Sequence, residues 1–365
     1  MNKLSAYLTD GCLILDNSSL ALIKSCPTMG RYKLLERRER ASATAKGRGP
    51  GKALHAALET RYRRCGAACP TDEQQAAIEA MLAAALASEP QPDADDYLNA
   101  TRLTEVMRQY RDGCVYSMGP DGRNGRYEHA GYRDESFEVL WVELPFAVRL
   151  GDVQLGDMRV PVIYIGRSDL GVLSSRGELL VVDHKSMRRW ESSTIVHWSM
   201  APGPKGYAAC IGQWVRDGIA GLPHVVQTAM LGYEPVRQRL AAAGVGERPF
   251  NGFMLNAMVI RNVSDLRRCK EPPTAFHRHL VFYEEHVLAE WRTNTLDWCR
   301  SWLEWTARGA WPMNEDHCSS HFGMTCPYYD CCSLPPGQRA IMLATDAYTD
   351  TTWSPLNRMA QETED

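Results

Sequence analysis

Residues 165–187 read IGRSDLGVLSSRGELLVVDHKSM. Two apolar runs, 160–173 and 178–182, flank the turn-forming Ser174-Ser175-Arg176-Gly177, so this stretch predicts a β-hairpin. Asp169 falls inside the first strand, Asp183 ends the second, and Lys185 follows two residues later. Side chains alternate along a strand, which puts Asp183 and Lys185 on one side and turns His184 to the other. Two carboxylates and an ammonium can then meet at one sheet edge. Carboxylates on paired strands repel unless a cation lies between them, and a hard divalent ion such as Mg²⁺ or Mn²⁺ suits that place. Taken alone, the same residues also read as two turn aspartates and a solvated lysine.

The chain around the hairpin has 365 residues, 23% of them charged and 44% hydrophobic, the composition of a globular protein. No apolar run approaches the roughly 20 residues that span a bilayer. Asp10 and Asp16 interrupt the apolar residues near the N-terminus, so no signal peptide is read there and a cytoplasmic location is expected. Twelve cysteines in such a setting point to metal ligation rather than disulfides. The net charge of −3 argues against indiscriminate binding to nucleic acid, yet residues 24–64 hold twelve Lys or Arg against three Glu, +9 locally. Such a segment can attract phosphates or simply form a solvated helical face.

In chain order, Asn17-Ser18-Ser19 reads as the N-cap of a helix that carries Cys26-Pro27 into the basic run. The run from Lys46 to Lys52 suggests a phosphate loop, but Lys46 replaces the first Gly and Ala53 the Ser or Thr, which excludes it. The next helix sets Gly51, His55 and Glu59 four residues apart on one face, where a histidine is either a core residue or a ligand. Helices are predicted over 72–88 and 95–116, a loop without calcium ligands over 121–126, and a strand over 136–150. After Lys185, the polar passage 188–206 reads as a substrate-facing loop. Helical segments follow, then a buried strand over 250–260 parallel to the hairpin, a strand over 275–283, and a helix over 284–307. Trp291, Trp298, Trp302 and Trp305 recur on that last helix at a spacing that fits a core face. The pattern is α/β: a mixed central sheet with an added helical region.

Residues 317–332, HCSSHFGMTCPYYDCC, place Cys318, Cys326, Cys331 and Cys332 in an aperiodic stretch that packing does not explain. Thiolate ligation does, for zinc or an iron–sulfur cluster, with His317 and His321 as further zinc donors. Adjacent Cys331 and Cys332 cannot both point easily at one centre, which makes one a spectator. Cys26 is then a candidate fourth ligand, and the alternative is a tail that binds zinc by itself.

Cys26-Pro27, Gly51…His55…Glu59, Gly166…Asp169, Asp183-His184-Lys185 and the terminal cysteines stand in an order that resembles the RecB-like branch of the PD-(D/E)XK nucleases. More narrowly, the chain resembles the branch's iron–sulfur members, such as AddB-type nuclease domains, CRISPR-associated RecB-like exonucleases and phage exonucleases. The resemblance runs from about Ser18 to Cys332. It implies that His55, Asp169 and Asp183 bind catalytic Mg²⁺ or Mn²⁺ and that Lys185 is the catalytic lysine. It also implies that Cys26, Cys318, Cys326 and Cys332 hold a 4Fe–4S cluster joining the N- and C-terminal segments. The family's Gln and Tyr, four residues apart, assist DNA placement; here Gln227 has Leu231 at that spacing, Tyr233 lies beyond, and Gln213 competes.

The implied organisation is one nuclease domain over 1–335, comprising a helical region at 18–116, a catalytic sheet core at 136–283 and a C-terminal helix with the cluster loop at 284–335. A tail follows over 336–365. The implied function is a DNA exonuclease for single strands or duplex ends in recombination or DNA processing, of the phage-encoded kind. The alternatives are a non-catalytic DNA-binding or assembly protein that keeps fold and cluster, and a zinc protein of unrelated activity.

Overall fold

The structure is a computed structural model that describes residues 8–41, 49–88, 99–111, 117–118, 124–125, 137–247, 250, 252–261, 274–318, 325–351 and 354–360. Lys46 and Arg48 of the basic run, most of the 121–126 loop and His321 lie outside the described residues.

A six-stranded sheet is built on the hairpin. Its strands are β1 (Leu13–Leu15), β3 (Phe137–Leu155), β4 (Met158–Ser174), β5 (Leu179–Met187), β6 (Gly252–Ile260) and β7 (Thr274–Phe282); the short β2 (Arg38–Arg40) lies outside it. β3 runs antiparallel along one edge of β4. The other edge of β4 is shared: β1 pairs in parallel with 162–164, and β5 pairs antiparallel with 170–173. Between these contacts, β4 from Ile165 to Asp169 pairs with neither β1 nor β5. β6 returns parallel to β5 as its apolar sequence predicts, and β7 is antiparallel to β6.

The hairpin turns where expected. Gly177 takes φ +77°, open to glycine at no steric cost, and its N–H donates to the Ser174 carbonyl at 2.9 Å. Gly171 answers a different need. It lies opposite Trp141, and a Cβ there would sit 2.1 Å from the indole. Gly171→Ala is therefore expected to cost roughly 3 kcal/mol by overpacking, read as a lowered thermal midpoint.

Alternation along β5 and β6 divides the core. Leu179, Val181, Phe253, Leu255 and Ala257 face one cluster, with Trp214, Trp291 and Trp302; Leu180, Val182, Met254 and Met258 face the other. The first is covered by α1 (Asn17–Ser25) and by two later helices, α6 (Pro202–Asp217) and α9 (Glu285–Arg308). The second is covered by α2 (Gly49–Cys65), α3 (Asp72–Ala87) and α4 (Ala100–Arg111). Trp291 and Trp302 are core as the spacing predicts, while Trp298 and Trp305 are partly buried against it.

Several boundaries differ from the sequence reading. α1 is capped by Asp16, whose Oδ1 accepts from Ser19 N at 2.7 Å, rather than by the Asn17–Ser19 run. It ends before Cys26, which is extended because Pro27 disfavours helical geometry in the residue before it. Residues 188–206 are largely helical, in α5 (Ser192–Met200) and the start of α6; reciprocal bonds between Glu191 and Thr194 open α5, and Pro202 opens α6. The helix predicted over 95–116 is described only from Ala100 to Arg111, with Asn99 Oδ1 accepting from Arg102 N at 2.9 Å. Next come α7 (His224–Met230) and α8 (Glu234–Ala242). After residue 335 the chain adds α10 (Pro336–Leu343) and β8 (Tyr348–Asp350), the latter pairing antiparallel with β2.

The basic segment is partly neutralised in place. Arg31 pairs with Glu36, Lys33 with Glu39, Arg38 with Asp350, Arg40 with Asp330 and Arg63 with Glu59. Two of these pairs fasten the β2 region to the C-terminal segment, a structural use of charge that periodicity cannot reveal.

His277 on β7 stacks on Trp190 with centroids 4.8 Å apart, and burial, aided by Arg261, brings its pKa down to about 4. A histidine held neutral by the fold takes up its proton more readily when unfolded. Its contribution is thus whole above about pH 6.5 and is lost as pH falls through about 4. Urea midpoints should drop across that window, and His277→Phe should flatten the slope.

Candidate metal centre

β4 and β5 are paired only as far as Leu170 and Val182, so the next residues outward, Asp169 and Asp183, sit where the two strands part. The parting leaves His184 N–H free of the hairpin ladder, and it donates to Asp169 Oδ2 at 2.8 Å. α2 brings His55 to the same carboxylate, Nδ1 to Oδ2 3.4 Å. Lys185 Nζ lies 2.7 Å from Asp183 Oδ2 and 5.7 Å from the centre of the Trp198 ring on α5. His55, Asp169, Asp183 and Lys185 are thus gathered at one fork, with Asp183 the least exposed at 6% of its side chain.

The environments of the two carboxylates diverge. Burial acts to raise Asp169, but His55, Lys185 and His184 together hold it below the usual carboxylate range. Burial raises Asp183 above that range, with the charge of Asp169 adding and Lys185 opposing. A buried carboxylate and a half-buried one repelling one another make a site that a divalent cation relieves.

The structure adds a residue that the sequence reading missed. Glu143 stands on β3 opposite Asp169, between the register pairs Val142 with Leu170 and Leu144 with Ser168. One donor atom each from His55, Glu143 and Asp169 lie within 4.8 Å of one another, a grouping suited to a metal ion. Glu143 takes φ +51°, rare for a non-glycine residue, and its carboxylate is held by Arg167, Nε to Oε2 2.9 Å. Strain of this kind persists where surroundings over-determine it, often at functional sites. The available signal was a lone acidic residue in the apolar strand FEVLWVELPF, ambiguous without the partner strand. Glu143→Gln should weaken Mn²⁺ binding about tenfold, measured by titration of the ion, because it removes one anionic donor and leaves the fold intact.

Gln227 lies on α7, and its amide donates to the Leu222 carbonyl at 2.6 Å. Gln213 on α6 donates to the Arg149 carbonyl and accepts from Arg292. Glu59 pairs with Arg63 at 2.7 Å.

Cys26, Cys326 and Cys331 share one buried cluster with Tyr32, Tyr328 and Tyr348, and Cys332 packs against it, partly buried. Cys318 is drawn in as well: Asn314 N–H donates to Cys26 Sγ at 3.5 Å, and Cys318 Sγ–H to the Asn314 carbonyl at 3.7 Å. Burial pushes Cys332 up to about 12, with Cys331, Cys326 and Cys26 adding, and burial likewise raises Cys318 and Cys326. Cys331 Sγ–H donates to the Arg339 carbonyl at 3.6 Å. Among the described residues no three cysteine sulfurs lie within 4.8 Å of one another.

A histidine on a helix and carboxylates at a strand fork, with a lysine two residues beyond the nearer strand's aspartate, make a site suited to a divalent metal ion. The family model described as the PD-(D/E)XK nuclease superfamily matches residues 17–333, and the chain belongs to that superfamily. No curated protein matches the chain. Among the described residues no helix is long and apolar enough to cross a membrane.

Proposed function

We propose that this nuclease is a DNA exonuclease of the RecB-like iron–sulfur branch, acting on single strands or duplex ends in recombination or DNA processing. The proposal includes a phage-encoded origin and a cytoplasmic setting. The observation that carries the reading is the convergence of His55, Glu143 and Asp169 beside the Asp183–Lys185 pair.

Mg²⁺ or Mn²⁺ bound by His55, Asp169 and Asp183, with Glu143 beside them, would neutralise charge on the phosphodiester and acidify water. His184 N–H fixes the Asp169 carboxylate, and Arg167 fixes Glu143, so both are oriented before substrate arrives. Lys185 Nζ is a mobile donor whose present partner is Asp183. Released from it, the ammonium can orient the attacking water or stabilise negative charge on the phosphate. Gln227 is assigned to DNA placement, which requires its amide to leave the Leu222 carbonyl. Cys26, Cys318, Cys326 and Cys332 are assigned to a 4Fe–4S cluster of structural role, a reading supported by the packing of Cys26, Cys326 and Cys332 in one cluster and by the link from Cys26 through Asn314 to Cys318.

The test uses DNA labelled at the 5′ or 3′ end, single- and double-stranded, with Mg²⁺ or Mn²⁺. The expected result is stepwise shortening that EDTA abolishes and that requires Asp183 and Lys185. Internal cuts alone would replace exonuclease by endonuclease, and no cleavage dependent on those residues would remove the enzymatic reading.

A further inference from the structure

His184 separates the two catalytic positions Asp183 and Lys185, and alternation sends its ring through to the opposite face of the sheet. There it enters a polar layer inside an otherwise apolar core. His184 is in register with Asn256 on β6, and Asn256 with Arg278 on β7, so three polar side chains line up across three strands. Asn256 Nδ2 lies 2.9 Å from His184 Nδ1 and 2.9 Å from Tyr110 Oη, while Arg278 Nε donates to Asn256 Oδ1 at 3.3 Å. Arg278 Nη2 also donates to Tyr110 Oη, at 3.2 Å. Tyr110 Oη also shares a hydrogen bond with Tyr62 Oη, 2.7 Å away. Tyr62 closes the circuit by stacking on the His184 ring, centroids 5.5 Å apart and planes within 10°. All five residues are buried, from 0% exposed for Asn256 to 7% for Arg278.

Burying an arginine and four further polar side chains is unfavourable unless each is bonded, and a fully bonded set fixes one geometry. Two outputs of this geometry reach the metal centre. The His184 main chain donates to Asp169, so the setting of the ring sets the aim of that N–H. Tyr62 and His55 lie on the same helix, and His55 meets the His184 ring edge-on at 6.3 Å. The rotation and slide of α2, and with them the reach of His55 to Asp169, are therefore keyed to the same imidazole.

We infer that Asn256, His184 and Tyr62, locked by Tyr110 and Arg278, form a positioning layer that presets Asp169 and His55 for the divalent ion. None of the five residues touches the substrate in this scheme. They act through one main-chain N–H and through the seating of one helix, and the inference rests on the metal-site reading above. Its signature is a metal affinity that falls while the fold persists and while turnover at saturating metal is largely kept.

The experiment measures Mn²⁺ dissociation constants by the electron paramagnetic resonance of the free ion, without DNA, for wild type, Asn256→Leu, Tyr62→Leu and Tyr62→Phe. Melting curves and cleavage at saturating Mn²⁺ are recorded in parallel. Asn256→Leu and Tyr62→Leu should weaken Mn²⁺ binding about tenfold, the scale found when groups that orient metal ligands are removed. Tyr62→Phe keeps the stacked ring and should stay within about threefold, a rescue that distinguishes seating by the ring from loss of a hydroxyl. Should Asn256→Leu not fold, the two Tyr62 variants carry the comparison alone. Folded variants that bind Mn²⁺ as wild type does, with lowered melting temperature only, would reduce the layer to core structure and overturn the inference. A wild type that binds no Mn²⁺ overturns the metal-site reading itself, an outcome visible before any variant is compared.

Discussion

Lys185→Met is expected to lower DNA cleavage at saturating Mn²⁺ by about a thousandfold while metal affinity and melting temperature stay near wild type, or affinity improves. The reason lies in its partner. The ammonium sits 2.7 Å from Asp183 and is about one-third exposed, so removing it breaks no core and frees a carboxylate. Under the proposed function, what is lost is the charge that would meet the negative phosphate, and removing one such donor typically costs two to three orders of magnitude. Asp183→Asn should differ in kind, abolishing cleavage and weakening Mn²⁺ binding together. Titrating Mn²⁺ against both variants, then measuring single-turnover cleavage, separates the roles. If Lys185→Met cleaves at the wild-type rate, Lys185 has no part in the chemistry.

The second large effect concerns the cysteine junction. Cys326→Ser should eliminate the absorbance near about 400 nm expected of thiolate-bound iron. It should also lower stability by about 2–4 kcal/mol, by analogy with the opening of a covalent staple across a long loop. Cys331→Ser should keep the colour, since its sulfur already bonds to the Arg339 carbonyl. Iron and zinc content of the purified proteins, with the visible spectrum, reads the result. A colourless wild type with one zinc per chain would replace the cluster by a single ion.

Much of this was legible in the sequence because the relevant signals are local. The hairpin turn, the parallel return of 252–260 and the fork residues Asp169, Asp183 and Lys185 follow from apolar runs, a glycine turn and alternation. Where the reading fell short, distant parts of the chain decide. Glu143 acquires meaning only from its register opposite Asp169. The passage 188–206 is polar enough to read as a loop, yet capping at Glu191 and a proline start make it helical. The charge of 24–64 looked available for phosphates, while Asp330 and Asp350, far along the chain, neutralise part of it.

The pairing of β2 with β8 also has a consequence for how the molecule is made. Arg38–Arg40 can find its strand partner only after Tyr348–Asp350 has left the ribosome, and Cys26 likewise waits for Cys326 and Cys331, with which it packs. Contacts of such long sequence separation close late. The sheet with its carboxylates can therefore assemble during synthesis, whereas the junction between the β2 and β8 segments forms only after residue 350 has emerged.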